Sequence, residues 1–418
     1  MKHAELIIGG DPAVLERTLR APLAIRPDNL VARPWGGKRL AEYKGLPAGA
    51  VDGGQRYGES FECAAHRGDG EAAAHPSLVE FADGSSLPLI ELIDRAPAAV
   101  LGEPLAPLRC LPLLPKFLDV EELLSVQAHP PGNPEAYFII DADPGATLHV
   151  GFAQDVDAAL FAERCRQGRE AQQALAGCLA PGIDEGALQE ALAPLLSGPD
   201  SAADDLQRAA SGLLDAPAQR SLPLFATLLE TYREVLGALN AIEVRPGSLV
   251  WNATPERLRN GAPVSAEVHA LGNTLRRRVL MLEVRKPGVT YRAWDHVRFP
   301  RRELAIDAAL AALNTTATTG EEFLVTPPAN GEVAVQCEDF SAWRYQLAPG
   351  ASVRCPLPAV PATVHVIRGA LQVDAMGGEA PLSRGAGSSA VVPAGCAEVC
   401  LTADSDAECV LVTVGNQR

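Results

Sequence analysis

The chain has 418 residues, a hydrophobic content of 47% and a formal net charge of −16 at pH 7. That length supports two or three domains with substantial cores, and the acidic balance disfavours nucleic acid and anionic membrane surfaces as partners, since both demand a positive field. No apolar run reaches the roughly 18 residues that cross a bilayer, and Met1 to Gly10 lacks the basic start and apolar stretch of a secretory signal, so a cytoplasmic location is expected.

The nine cysteines, Cys63, Cys110, Cys165, Cys178, Cys337, Cys355, Cys396, Cys400 and Cys409, form no Cys-x-x-Cys pair and no disulfide-framework spacing. Reduced, mostly buried thiols are expected. From Leu30 to about Gly151 short apolar runs alternate with Gly and Pro punctuation, which reads as β-rich. The exception is Pro88 to Val100, where Leu89, Leu92 and Ile93 share a helical face.

Residues 123–135, Leu-Leu-Ser-Val-Gln-Ala-His-Pro-Pro-Gly-Asn-Pro-Glu, carry the most chemistry. In a strand, Ser125, Gln127 and His129 point to one face while Leu124, Val126 and Ala128 point to the other. The Pro130–Pro134 run cannot continue a paired strand, so it turns the chain and brings Glu135 back toward His129. A Gln amide oxygen, an imidazole and a carboxylate then converge, a mixed set suited to a borderline divalent ion such as zinc that still wants a further ligand. The plain alternative is a satisfied polar strand edge.

Between about Gln154 and Leu239 the texture turns to Ala, Leu, Gln and Glu with helical spacing, as in Leu224, Leu228, Leu229, Tyr232, Leu236 and Leu239. This reads as an inserted helical module. Ile242 to Val250 reads as strand, tight turn and strand, Val279 to Val284 as a buried strand, and Arg302 to Leu313 as a short helix. From Glu322 onward the pattern is β again. The alternation over Val364–Val373 and the Pro393-Ala394-Gly395 turn describe a small jelly-roll barrel, the cupin unit. Its His365 has no ligand partners nearby in sequence and reads as structural.

Several stretches resemble, in order, the type I phosphomannose isomerases. These are Arg33-Pro34-Trp35-Gly36-Gly37-Lys38, Gly58 to His66, Leu113 to Asp119, the Gln127-x-His129-Pro130 strand, Glu267 to Gly272, Leu282-Glu283-Val284 and Thr290 to Asp295. The resemblance spans essentially the whole chain. It implies a mainly β protein of two or more cupin (jelly-roll) barrels with an inserted α-helical module. Residues 1–153 would begin the catalytic cupin, 154–240 form the helical insertion, 241–320 complete the cupin with its metal-site histidine, and 321–418 form a C-terminal barrel.

The resemblance also implies the chemistry: a metal-dependent aldose–ketose isomerase interconverting mannose 6-phosphate and fructose 6-phosphate through an enediolate. Gln127, His129, Glu135 and His269 would hold one divalent ion, zinc (Zn2+) first among the options. Arg292 would stand in the active cleft, and Ser125 and Lys116 would contribute to phosphate binding, with a solvated Lys116 the simple alternative. Lys116, Arg285 and Arg292 are the cations able to offset the global negative charge for a sugar-phosphate partner. Glu283, flanked by Leu282 and Val284, is the candidate proton-transfer base; its other reading is a buried ion pair with Arg285 or Arg292. His66 and Trp35 read as supporting residues.

The chain also departs from that family. Asn133 stands where the family usually has lysine, and the segment before His269 differs, following a stretch with Arg257 and Arg259 that could supply the missing cation if it folded over the cleft. Two other functions stay open: a non-catalytic sugar-binding or regulatory cupin, and a cupin dioxygenase or epimerase acting on another small molecule.

Overall fold

The computed structural model describes residues 2–68, 70–196, 200–298, 301–375 and 381–415. Its architecture is mainly β, cupin-type, with a helical module, as the sequence indicates. A seven-stranded sheet (order 324–325, 249–252, 135–142, 279–284, 116–120, 30–37, 57–61) faces a five-stranded sheet (239–243, 147–152, 269–270, 126–128, 291–294). Leu118, Val120, Tyr137, Ile139, Val279 and Met281 from the first sheet and Leu148, Val150 and Ile242 from the second fill the space between them.

Alternation along each strand assigns the two faces. On the strand Val279–Val284, Val279 and Met281 point into this barrel, while Leu280, Leu282 and Val284 point outward into a second core. Glu283 follows Met281 by two and Arg285 follows Glu283 by two, so both lie on the inner side at the strand's end. The same rule sets Lys116 with Leu118 and Val120, and Glu135 with Tyr137 and Ile139. Register then gathers them at one end of the barrel: Glu283 pairs with both Lys116 and Tyr137, and Asn252 with Glu135.

The outer face of the seven-stranded sheet packs, through Phe117, Phe138, Leu280 and Leu282, on an eight-stranded sheet that includes Phe340–Leu347, Ala362–Arg368 and Ala407–Val414. A four-stranded sheet closes the other side of that C-terminal barrel over Leu371, Val373, Val399 and Leu401. Leu23–Ile25, Leu78–Glu80 and Ser86–Pro88, from the chain's first quarter, extend the eight-stranded sheet, with Leu23 in register with Val391. Where the two barrels meet, Tyr43 Oη donates to the Ile367 carbonyl and Lys44 Nζ is buried between Glu62 and the Gly387 carbonyl.

The helical stretch lies where periodicity places it, with helices Ala158–Ala176, Glu185–Leu196, Ala203–Ala209 and Ala218–Gly237. Phe161, Cys165, Phe225, Leu228, Leu229 and Tyr232 bury against Val126, Ala128 and Trp294, covering the outer face of the five-stranded sheet. Val126 and Ala128 thus serve the helical core while Gln127 and His129 face the barrel interior. His365 is buried between Ser389 Oγ and Thr363 Oγ1, each 2.8 Å away. All nine cysteines are free, and among the described residues no helix is long and apolar enough to cross a membrane.

The structure revises some local expectations. Pro88–Val100 is two helices, Leu89–Arg95 and Pro97–Leu101, because Pro97 has no N–H to continue the first and the residue before it is driven from helical geometry. The strands around the turn at Gly247 do not pair with each other. Leu239–Glu243 joins the five-stranded sheet and Leu249–Asn252 the seven-stranded one, so the turn, with Gly247 at φ 89°, carries the chain between sheets. The short helix after Arg302 spans Ile306–Ala312.

Candidate metal centre

Pro130–Pro134 turns the chain as the sequence suggests and returns Glu135 beside His129, with Oε1 2.9 Å from His129 Nε2. His269 arrives by register rather than by sequence proximity, since its strand lies between Gln127 and Val150. Its Nε2 is 3.2 Å from Glu135 Oε2 and 3.0 Å from the Gln127 amide nitrogen. His129, Glu135 and His269 are buried, and their donor atoms lie within 4.8 Å of one another.

The surroundings prepare these groups for a cation. The Val289 carbonyl sits 2.9 Å from His129 Nδ1 and the Glu267 carbonyl 2.9 Å from His269 Nδ1; with its Nδ1 proton given to that carbonyl, each ring would present the Nε2 lone pair to a cation. Burial, with Arg285 adding to it for both rings, holds the His129 and His269 imidazoles below their ordinary pKa. Neutral ligand forms are thereby favoured. Burial opposes the Glu135 charge, yet His129, Arg285 and His269 together hold its carboxyl well below the usual range. Arg285 is the permanently charged neighbour, its Nη1 2.8 Å from Glu135 Oε1.

Oε1 of Glu135 is buried and accepts no well-directed hydrogen bond among the described residues, despite those close approaches. An inward oxygen lacking directed donors, beside two inward imidazole lone pairs, fits a divalent cation. Gln127 adjoins the set, with its amide nitrogen toward His269. Its Oε1 accepts from Ser125 Oγ at 3.1 Å, and a half-turn of the amide exchanges oxygen for nitrogen toward His269, with the serine hydroxyl able to accept instead.

Beside this set two adjoining clefts, of about 140 and 410 Å³, share Lys116, Arg285, Thr290 and Arg292 as walls. The smaller also takes in Gln127, Glu283, Glu59, Arg33 and Trp35; the larger takes in His66 and Arg67. Cations outnumber carboxylates here, reversing locally the sign of the whole chain. A larger cavity, about 750 Å³, lies between residues 243–249 and 324–327 and contains none of the donors.

Glu283 pairs with Lys116, Oε2 to Nζ 3.3 Å, rather than with either arginine that the sequence suggested. Lys116 also contacts Glu59 Oε1 at 3.4 Å, and Arg33 holds the other Glu59 oxygen at 2.5 Å. Burial raises the Glu283 carboxyl above its ordinary pKa, the neighbouring Glu135 adding to the rise while Lys116 opposes it. Arg292 stands across from Gln127 in register and lines both clefts.

Ser125 is 1% exposed and sits behind Gln127, outside the lining of both clefts. Trp35 is buried in the barrel core; His66, pushed down to about 4 by burial, faces the larger cleft as a neutral ring. Arg257 does not fold over the site. It is held by Glu322 at 2.8 Å and by the Ala317 carbonyl, and neither it nor Arg259 lines either cleft.

Sequence reasoning did not single out Glu59, Tyr137 or Asn252. Tyr137 Oη donates to Glu135 Oε2, and Asn252 Oδ1 accepts from the Glu267 N–H at 2.9 Å, which steadies the loop carrying His269. Tyr137 was legible as an inward position, two residues after Glu135; Asn252 becomes significant only through its register with Glu135.

Comparison with sequence families gives no match, and no curated protein matches the chain. Solved structures do match in fold. Mannose 6-phosphate isomerase from Bacillus subtilis aligns at 18% identity and TM-score 0.60, covering 94% of this chain and 99% of that one. A point variant of phosphomannose isomerase from Salmonella typhimurium gives the same identity, coverage and score. A mannose 6-phosphate isomerase bound with zinc and yttrium aligns at 18% identity and TM-score 0.58 over the same shares. The chain therefore has a type I phosphomannose isomerase-like fold.

Proposed function

We propose that this chain is a metal-dependent aldose–ketose isomerase acting on a sugar phosphate, with mannose 6-phosphate and fructose 6-phosphate as its substrate pair. The observation that carries the reading is the convergence of His129, Glu135 and His269, from separated strands, on one buried point beside a cationic cleft. Gln127, His129, Glu135 and His269 would hold zinc, which when bound supplies an electrophile for the substrate's adjacent hydroxyl and carbonyl oxygens.

The remaining work falls to the chain's own residues. Glu283, buried and with a raised pKa, takes a proton from the carbon beside the carbonyl and returns it to the neighbouring carbon, while the hydroxyl proton passes to the former carbonyl oxygen; its Oε2 accepts no hydrogen bond among the described residues. Lys116, 3.3 Å away, limits the rise in basicity and keeps the carboxylate oriented. Arg292 offers a planar pair of donors to substrate oxygens, and Lys116 and Arg292 together give the cleft the charge to receive phosphate. Ser125 orients the Gln127 amide from behind. Such a reaction shifts hydrogen within one molecule and calls for no nucleotide or redox cofactor.

A panel of phosphorylated and free aldoses, assayed with metal-stripped and zinc-restored protein, tests this reading. Turnover of mannose 6-phosphate should appear only after restoration. Sugar binding without turnover under both conditions would favour a regulatory cupin, and oxygen consumption by an iron-loaded sample would favour an oxygenase.

A further inference from the structure

Arg285 stands against the metal-binding groups themselves, which a cation meant only for phosphate would not do. Its side chain is 4% exposed, and Nη1 lies 2.8 Å from Glu135 Oε1 and 3.3 Å from His129 Nε2. Nη2 lies 3.5 Å from His129 Nδ1, so the guanidinium lies along the imidazole while Nη1 reaches the carboxylate. Glu135 and His129 are also the groups that would bind the ion. Guanidinium and metal therefore compete for the same carboxylate oxygen, and two cations so close repel strongly in a site from which water is excluded.

The guanidinium has somewhere to go. Arg285 lines both clefts, and it also donates to the Lys286 and Gly288 carbonyls at 3.1 and 3.3 Å, on the loop that borders the larger cleft. Lys116 and Arg292 are already on that wall.

Resting on the metal-site reading, we propose that Arg285 is a built-in competitor for the metal and couples metal loading to anion binding. Without metal, its guanidinium occupies the donor set and neutralises Glu135. Loading a divalent cation expels it into the cleft, where it adds positive charge for an anionic substrate. Linkage makes the effect reciprocal, so an anion that holds Arg285 in the cleft also tightens metal binding.

The test is zinc affinity, measured by chelator competition on wild type, Arg285→Gln, Arg285→Lys and Glu135→Gln, each with and without sulfate as the tetrahedral probe. Arg285→Gln should bind zinc roughly 10- to 100-fold more tightly than wild type, the range over which groups around a metal site tune affinity. Arg285→Lys should fall between them, and Glu135→Gln should lose binding. Sulfate should tighten zinc binding by wild type and leave Arg285→Gln unchanged. Equal or weaker zinc binding by Arg285→Gln, or by Arg285→Lys should the first variant not fold, overturns the proposal while leaving the metal site in place. Absence of zinc binding by all four proteins overturns both.

Discussion

Glu135→Gln is expected to eliminate zinc binding and to destabilise the metal-free protein by about 3–5 kcal/mol, the cost of leaving one member of a buried charge pair alone. The carboxylate is fully buried and touches two imidazoles, a tyrosine hydroxyl and the Arg285 guanidinium. An amide of the same shape retains the packing and loses the charge. Arg285 would then be a buried cation with no ionised neighbour in contact, although Glu283 and Glu59 still act on it at longer range. His269→Ala separates the two effects. It removes a neutral ring, so zinc affinity should fall at least as far as the roughly 10- to 100-fold lost with outer-sphere partners, while urea unfolding of the metal-free protein shifts less than in Glu135→Gln. Unchanged zinc affinity in both variants would show that the ion, if bound, sits elsewhere.

Glu283→Gln is expected to lower kcat by about 10²–10⁴, the usual contribution of a positioned general base, with zinc affinity retained. The direction of the carboxyl's shift adds a pH signature. Burial raises its pKa above the ordinary carboxylate value, and a base must be ionised to act, so activity should fall on acidification through a pKa above that ordinary value. The variant's residual activity should lack that limb. A purely structural Glu283–Lys116 pair would behave differently: the substitution would shift the unfolding midpoint and leave kcat and its pH profile alone. Since Lys116 keeps Glu59 as a partner, its own charge remains compensated in the variant.

The candidate metal site was legible to the extent that local geometry determines it. Strand alternation placed Gln127 and His129 on one face, and the proline-rich turn brought Glu135 to them, because both effects act within a few residues. His269 was not reachable that way. Only the resemblance indicated it, and its placement depends on a strand of two residues wedged between Gln127 and Val150. The partner of Glu283 was misjudged for a related reason. The sequence offers Arg285 or Arg292 as its ion-pair partner, but residues two apart on a strand share a face without meeting, whereas cross-strand register sets Lys116 directly opposite.

Similar limits explain the rest of the fold. Periodicity located the long helices Ala158–Ala176 and Ala218–Gly237, whose apolar stripes answer one continuous core. The short helices His3–Ile8 and Pro12–Thr18 carry weaker patterns, although Asp11 before Pro12 is a capping signal, and Asp11 Oδ1 does accept from the Ala13 and Val14 N–H groups. A turn at Gly247 reads locally as a hairpin whichever sheets its strands join. No local pattern reveals that Leu23–Ile25 completes a sheet built mostly from residues beyond 330.

Anomalous diffraction at the zinc edge, from crystals of zinc-restored protein that turns over mannose 6-phosphate, tests most directly whether these side chains hold the ion on which catalysis depends. A single strong peak is expected among Gln127, His129, Glu135 and His269, about 2.0–2.2 Å from their nitrogen and oxygen donors. An active preparation with no peak there, or with its zinc bound elsewhere, would contradict the assignment.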